Sequence, residues 1–415
     1  MNKPELLAPA GDPEKLKTAI EYGADAVYFG GEDYSLRSAS DNFSDDDMRE
    51  CVKYAHDRGK KCYLTLNIYA HNGDIEPMRE YLRRIKEIPL DAFLVSDPGV
   101  LSILREEIPD AHVHLSTQAN MTNYMAAEFW KKQGVERLVL ARELSFDEIR
   151  EIREKTDIEL EAFIHGAMCI SYSGRCLLSN FLSSRDANKG LCSHPCRWKY
   201  SLMEEKRPGE YFPVEEDSRG TYFMNSHDLC MIEHIPDLVK SGLSSLKIEG
   251  RMKTMYYVAT VVRAYRLAID EYFRDPDNYT FDPELLREVE KVSHRHFTTG
   301  FFYGDPKGSA QNYSSSSYIK TYSFTGKVIS YDERTGFAAV EQRNKMDAGD
   351  VIEVFGPGDN TFSQVLDEMY DLDTGERLMS APHAQQMLKI KMEKSVGAGW
   401  LLRKKIDQND QESDI

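Results

Sequence analysis

Four hundred and fifteen residues exceed what one small core organises, which predicts two domains or one large barrel with an appendage and excludes a single small binding module. The composition, 41% hydrophobic and 29% charged, is that of a globular chain, and no run approaches the roughly 18 consecutive apolar residues of a membrane span. A formal charge of -17, from 69 acids against 52 bases, excludes a uniformly basic nucleic-acid-binding surface and leaves room only for a local basic patch.

From the N-terminus, short apolar strands alternate with helical segments at the period of β/α units. Strands are expected at 6–9, 26–29, 62–66, 92–95, 112–115, 137–140, 160–163 and 245–248, and helices at 13–22, 45–56, 122–133 and 146–155 among others. Gly23, Gly59 and Gly134 stand where helix stops are wanted. Eight such units with right-handed crossovers predict an α/β fold, a (β/α)8 TIM-type barrel, with its chemistry at the C-terminal ends of the strands. The residues just after the strands are polar: Asn67, Ser96, Asp97, Gln118, Arg142, Glu143, His165 and Glu249-Gly250-Arg251. Each alone reads equally well as a helix cap, but the set predicts a polar mouth. The first residues lack a basic region followed by an apolar core, so a cytoplasmic location is expected.

The seventh unit is abnormal, because about 60 residues separate its strand from a helix expected at 231–240, where βα loops normally run about 2 to 6. Five of the seven cysteines lie in this insert or at its edge: Cys169, Cys176, Cys192, Cys196 and Cys230. Cys51 and Cys62 fall in apolar segments and read as small buried hydrophobes. Helices at 255–272 and 283–292 then close the barrel. The resulting division is a catalytic domain at 1–305 with an insert at 166–224, a serine-bearing linker at 306–320, a small antiparallel β-barrel at 321–405, and an acidic tail at 406–415. Strands of the β-barrel are expected at 326–331, 337–341, 350–355, 387–391 and 400–403.

In a reducing compartment the clustered cysteines do not form a disulfide framework. Four thiolates can converge on zinc or on an iron-sulfur cluster. The spacing Cys169-x6-Cys176-x15-Cys192-x3-Cys196 fits paired zinc knuckles poorly, which favours an iron-sulfur cluster of the 4Fe-4S type.

The segment Glu161-Ala-Phe-Ile-His-Gly166-Ala-Met-Cys169-Ile-Ser-Tyr-Ser-Gly174-Arg-Cys176-Leu-Leu-Ser179 resembles the signature of the collagenase-like peptidase family of unknown catalytic type. The resemblance extends through Arg185-Asp186, Cys192-Ser-His-Pro-Cys196-Arg197-Trp198, Asn225-Ser-His-Asp228-Leu229, Lys247-Ile-Glu249-Gly250-Arg251 and Ser293-His-Arg295. It also covers Glu5-Leu-Leu-Ala-Pro-Ala-Gly11 and Tyr28-Phe-Gly-Gly31, and so spans essentially the whole chain. Within that family the chain is most similar to the branch involved in tRNA uridine hydroxylation, whose members make 5-hydroxyuridine at the anticodon wobble position. The resemblance implies the tRNA anticodon loop as substrate, prephenate as co-substrate and an iron-sulfur cluster, and leaves open a homo-oligomer or a hetero-oligomer with a paralogous subunit. Cys169, Cys176 and Cys192 match the family's cluster-ligand positions, with Cys196 or, alternatively, Cys230 as the fourth. Aerobic preparation is expected to leave zinc or disulfides at the same thiols.

Prephenate carries two carboxylates, so its site calls for guanidinium groups: Arg142, Arg197 and Arg251, with Asn67 and Gln118 lining the same mouth. Glu161, His165 and Glu249 are the candidate acid-base groups. Glu161 is expected to share a strand face with Phe163 and His165, either paired with Lys247 or Arg251 or tuned as an acid. Asn225 and Asp228 read as helix caps. For RNA, Tyr172 and Trp198 beside Arg175, Arg197 and Lys199 offer stacking and phosphate contacts, or equally pack the insert. The chain has no His-Glu-x-x-His and no Gly-x-Ser-x-Gly motif. A peptidase acting on unfolded chains and a non-catalytic iron-sulfur RNA-binding scaffold stand as the rival functions.

Overall fold

Strands β1 (Glu5–Pro9) and β2 (Ala26–Phe29) bury nearly every residue, the pattern of parallel strands covered by helices outside and by side chains within. In the computed structural model, residues 2–32, 42–168, 227–304 and 318–406 are described, with the backbone of short strands between 202 and 226 and at 311–312. The ring continues through β3 (Lys61–Leu66), β4 (Ala92–Val95), β5 (Val113–Leu115), β6 (Arg137–Val139), β7 (Glu159–Ala167) and β8 (Ser245–Ile248). Neighbours pair in parallel, and β8 pairs with both β7 and β1, which closes an eight-stranded barrel.

Around it lie α1 (Pro13–Glu21), α2 (Asp45–His56), α3 (Ile75–Ile85), α4 (Pro98–Glu107), α5 (Tyr124–Lys132), α6 (Phe146–Lys155), α7 (Ile235–Lys240), α8 (Met255–Arg274) and α9 (Pro283–Val289). The starts are fixed by side-chain caps: Asp12, Ser44, Asp97, Asn123, Ser145 and Thr254 each accept from an amide of the first turn. Asp97, one of the mouth residues expected from the sequence, is such a cap, accepting from Gly99 at 2.8 Å.

The nine-residue β7 is longer than expected and has two partners along its length. Its first half pairs with β6 and β8, with an irregularity opposite Lys247 and Ile248. Its end, beyond the ring, pairs antiparallel with a short strand Asp228–Cys230, in which Asp228 faces Ala167 and Cys230 faces His165. Phe297–Thr298 adds in parallel on the far side. Asp228 and Cys230 are therefore strand residues, and the expectation of a helix cap and a helix start there is corrected; α7 begins only at Ile235, after a 3-10 turn. Asn225 likewise lies in a short strand, Asn225–Ser226, paired with Gln311–Asn312. The projecting edge of β7 leaves backbone groups that need partners, and Asp228–Cys230 supplies them.

The C-terminal part is a seven-stranded curled antiparallel sheet: β9 (Tyr322–Asp332), β10 (Phe337–Gln342), β11 (Val351–Phe355), β12 (Thr361–Val365), β13 (Met369–Asp371), β14 (Met387–Lys391) and β15 (Leu401–Lys405), in the order β12-β11-β15-β9-β10-β14-β13. Strands β12 and β13 were not expected from the sequence. The sheet has its own core around Val328, Val340, Ile352 and Leu388, while Phe355 and Leu401 join the barrel core. The two parts are also bound by charge. Fully buried Arg403 of β15 contacts Glu288 of α9 at 2.7 and 2.8 Å and Glu353 of β11 at 2.6 Å, and Arg263 of α8 meets Glu288 at 3.0 Å. Burial pushes the Glu288 carboxyl up, but Arg403, Lys291 and Arg263 pull it further down, to about 2. Tyr256 of α8 stacks on Phe324 of β9 with ring centroids 5.6 Å apart.

Candidate active site at the barrel mouth

The lower half of the barrel interior is filled by charge rather than by aliphatic layers. Glu161, fully buried, receives Lys247 at 2.8 Å and Arg137 at 3.3 Å, and Arg137 also reaches Glu5 at 2.6 Å. Tyr63 and Ser245 donate to the same Glu5 carboxylate. Burial raises the Glu161 pKa, but Lys247 and Arg137 outweigh it and hold the carboxyl at about 2, so Glu161 is an ionised, paired group. Of the two cationic partners considered for it from the sequence, Lys247 is the one it meets. Glu5, Arg137 and Ser245 open β1, β6 and β8, at the end of a barrel that supports stability.

At the opposite end, Arg251 follows β8, is buried, and crosses to Thr65 of β3 at 3.2 Å and to Asn42 at 3.4 Å. Its loop is tightly built. Tyr28 donates to the Ile248 carbonyl at 2.9 Å and Tyr257 of α8 to the Glu249 carbonyl at 3.0 Å. A Cβ on Gly11 would stand 2.3 Å from the Arg251 carbonyl oxygen, so only glycine lets β1 pass this close. Glu249 is buried beside Gly166 of β7, whose φ of +110° also favours glycine.

Arg142, after β6, lies with its guanidinium 3.9 Å from the Phe163 ring centroid and donates to the Ala167 carbonyl at 2.6 Å. Asn67 and Gln118 meet through Ser116, which accepts from Asn67 at 3.3 Å and donates to Gln118 at 3.0 Å. Gln118 Nε2, Arg142 Nε, Glu143 Oε2 and Asp228 Oδ1 are buried polar atoms at this rim with no hydrogen-bond partner among the described residues. Such atoms call for a polar ligand or water. The rim thus brings Asn67, Gln118, Arg142, Glu249 and Arg251 to one end of the barrel, as the strand-end positions predicted.

His165 is placed differently from the expectation. The irregularity between Phe163 and His165 breaks the alternation, so Glu161 points into the barrel while the His165 ring packs against Tyr257 and Tyr265 of α8, with centroids 6.0 and 5.5 Å away. The Tyr265 hydroxyl donates to the Ile164 carbonyl at 2.9 Å and accepts from the Met231 amide at 2.9 Å. It also stands 3.4 Å from His165 Nδ1 and 3.8 Å from Cys230 Sγ. Burial, with help from Lys253 and His294, drives the His165 pKa down to about 3, and burial drives the Cys230 thiol up to about 12. Both are neutral near neutrality. A cavity of about 350 Å³ between Cys230, Glu233, Glu290, His294 and His296 lies outside this rim, and none of the rim residues lines it.

Cys169, Cys176, Cys192, Cys196, Arg197, Tyr172, Arg175, Trp198 and Lys199 lie outside the described residues. Among the described residues, no group of three or more His, Cys, Asp or Glu side chains could hold a metal. The structure does fix where the segment carrying those cysteines begins and ends. It leaves β7 after Ala167 and returns at Asp228, and these two residues are ladder partners beside Arg142. Five rim residues were missed from the sequence: Thr65, Tyr257, Lys253, Arg295 and Tyr318. Only Arg295 had a signal, the Ser293-His-Arg295 motif; its backbone amide donates to Asp228 at 3.1 Å.

The closed ring and its polar rim define a (β/α)8 protein with a set of buried polar groups at the C-terminal ends of its strands. Comparison with known proteins sharpens this. The chain belongs to peptidase family U32: the family model matches residues 11–312, and the model of the U32 C-terminal domain matches residues 320–403. It is 44% identical over 402 residues to tRNA hydroxylation protein P1 of Bacillus subtilis, covering 97% of this chain and 95% of that one. It is 38% identical to tRNA hydroxylation protein P of Escherichia coli, with 92% of each covered. A protein named Collagenase from Porphyromonas gingivalis is 32% identical, over 95% of this chain and 97% of that one. No helix among the described residues is long and apolar enough to cross a membrane.

Proposed function

We propose that this chain hydroxylates tRNA, forming 5-hydroxyuridine at the anticodon wobble position, with prephenate as co-substrate and an iron-sulfur cluster held by Cys169, Cys176, Cys192 and Cys196. The observation that carries the proposal is the near full-length similarity, at 44% identity, to a protein named for tRNA hydroxylation. The donor set suits the cluster, since four thiols are the ligands such a cluster takes, and the segment that carries them joins Ala167 to Asp228. Cys230 is the poorer fourth ligand, because its thiol is buried against the Tyr265 hydroxyl. When bound, such a cluster supplies one-electron redox capacity.

The chain's own groups do the rest. Arg142 and Arg251 bind the two carboxylates of prephenate, with Arg251 oriented by Thr65 and by the tyrosine-clamped loop. Asn67 and Gln118 orient the ligand from the opposite side of the rim. We assign to Glu249, buried at the same rim, a general-base role toward the bound substrate.

The name of the P. gingivalis relative favours a peptidase instead. Among the described residues the nearest thiol and imidazole, Cys230 and His165, are a neutral pair on the helix side of β7, opposite to the thiolate and imidazolium of a cysteine nucleophile. Mass analysis of tRNA nucleosides from a deletion strain is the deciding experiment. Loss of 5-hydroxyuridine and its derivatives, restored by the wild-type gene and not by Arg251→Lys, is expected. Unchanged tRNA with an altered peptide pool would replace this function by the peptidase.

A further inference from the structure

The loop after β8 shows different chemistry to its two sides within three residues. Arg251 turns inward to Thr65, whereas Met252 is 52% exposed and Lys253 is half-buried, its ammonium 5.2 Å from the Tyr257 ring centroid and 4.8 Å from that of Tyr318. Among the described residues no carboxylate pairs with Lys253. Buried Arg295 stands 5.0 Å from the same Tyr318 ring and donates to its hydroxyl at 3.2 Å, so one tyrosine gathers two cations at the lip of the mouth. In a chain of net charge -17 this is a local concentration of positive charge, a half-buried lysine backed by a buried arginine, with exposed Met252 next to it in the chain.

An anion with flat apolar faces matches both features: phosphate for Lys253, a base face for Met252. An acidic peptide would satisfy only the first. We propose that Met252 and Lys253 contact the nucleotides flanking the target base of a single-stranded RNA loop, and that Tyr318 and Arg295 hold Lys253 in position. This inference rests on the tRNA function proposed above. It adds described residues on the barrel itself to the contacts expected from the insert. It also links base delivery to ligand binding, since the loop that grips the RNA is the one that carries Arg251.

The test is fluorescence anisotropy of an anticodon stem-loop with uridine at the wobble position, titrated with full-length, anaerobically purified protein across a salt series. Lys253→Ala should weaken binding several-fold and reduce the slope of log K against log salt by about 0.7, the share of one single-strand phosphate. Met252→Ala should weaken binding with an unchanged slope. Lys394→Ala, which removes the same charge from an exposed position in the bend after β14, should change neither. Melting temperatures within error of wild type establish that the variants fold. If the wild type binds and Lys253→Ala binds identically in affinity and slope, the inference is overturned and the tRNA function stands. An equal loss of poly-glutamate binding would overturn the RNA assignment in favour of any polyanion. A wild type with no affinity for the stem-loop would overturn both.

Discussion

Glu161→Gln keeps the shape of a fully buried side chain and removes its charge, leaving Lys247 enclosed without the carboxylate 2.8 Å away. Two routes give the cost. The carboxyl is held at about 2 against an ordinary 4.5, and roughly 2.5 pKa units at about 1.36 kcal/mol each amount to about 3 kcal/mol. Breaking one member of a buried pair costs about 3 to 5 kcal/mol by direct experience with such pairs. Because the folded value is depressed, this stabilisation is fully present above pH 4.5 and is lost as the pH falls toward 2. Urea unfolding at neutral pH should therefore show Glu161→Gln less stable by about 3 kcal/mol, with the gap narrowing once the pH passes below 4.5. Glu161→Gln with Lys247→Met should recover much of the loss, since the uncompensated ammonium is then gone. An unchanged urea midpoint at neutral pH, or a gap that does not move with acid, would refute the account of the interior as an ionised network.

Arg403→Leu should destabilise the protein by roughly 3 kcal/mol by leaving Glu288 and Glu353 partly uncompensated, and hydrogen exchange should rise in β11 and α9, where those carboxylates lie. Arg251→Lys should weaken prephenate binding about tenfold in calorimetry, because lysine keeps the charge and loses the fork; equal affinity in a folded variant would remove Arg251 from the ligand site. Anaerobically purified Cys230→Ser should retain iron and sulfide and Cys169→Ala should lose them, as elemental and sulfide analysis would report. Loss in Cys230→Ser would make Cys230 a ligand.

The barrel was legible because its strands are mostly apolar and its helices begin at Ser, Asp, Asn or Thr caps, both local signals. The rim residues followed from the rule that strand ends face the mouth, and Asn67, Gln118, Arg142 and Arg251 stand there. His165 was misplaced because the irregularity in β7 is set by its register against β8, which no alternation in 159–167 records. Asp228 was misread for a related reason: Asn-Ser-His-Asp is good cap chemistry, and only the projecting edge of β7 turns it into a strand. Strand β12 alternates exposed and buried residues and carries polar Thr361, Ser363 and Gln364 among its five, so its apolar signal is thin. Arg295 and Tyr318 reach the lip from segments distant in sequence, which spacing cannot join.

The pairing of Ala167 with Asp228 has a consequence for how this barrel tolerates change. The segment between them leaves and rejoins the barrel at two residues that already touch. Closing a flexible loop costs only about 0.6 kcal/mol more for each doubling of its length. The length of what joins those two residues therefore costs the ring little, and the one other tie among the described strands is the pairing of Asn225–Ser226 with Gln311–Asn312. A short glycine-serine bridge from Ala167 to Asp228 should leave a folded barrel with its rim intact, and a foreign segment spliced at the same two residues should be carried over the same mouth. The fold is, in that sense, a socket for interchangeable cassettes, and new chemistry can be acquired there without rebuilding the ring beneath.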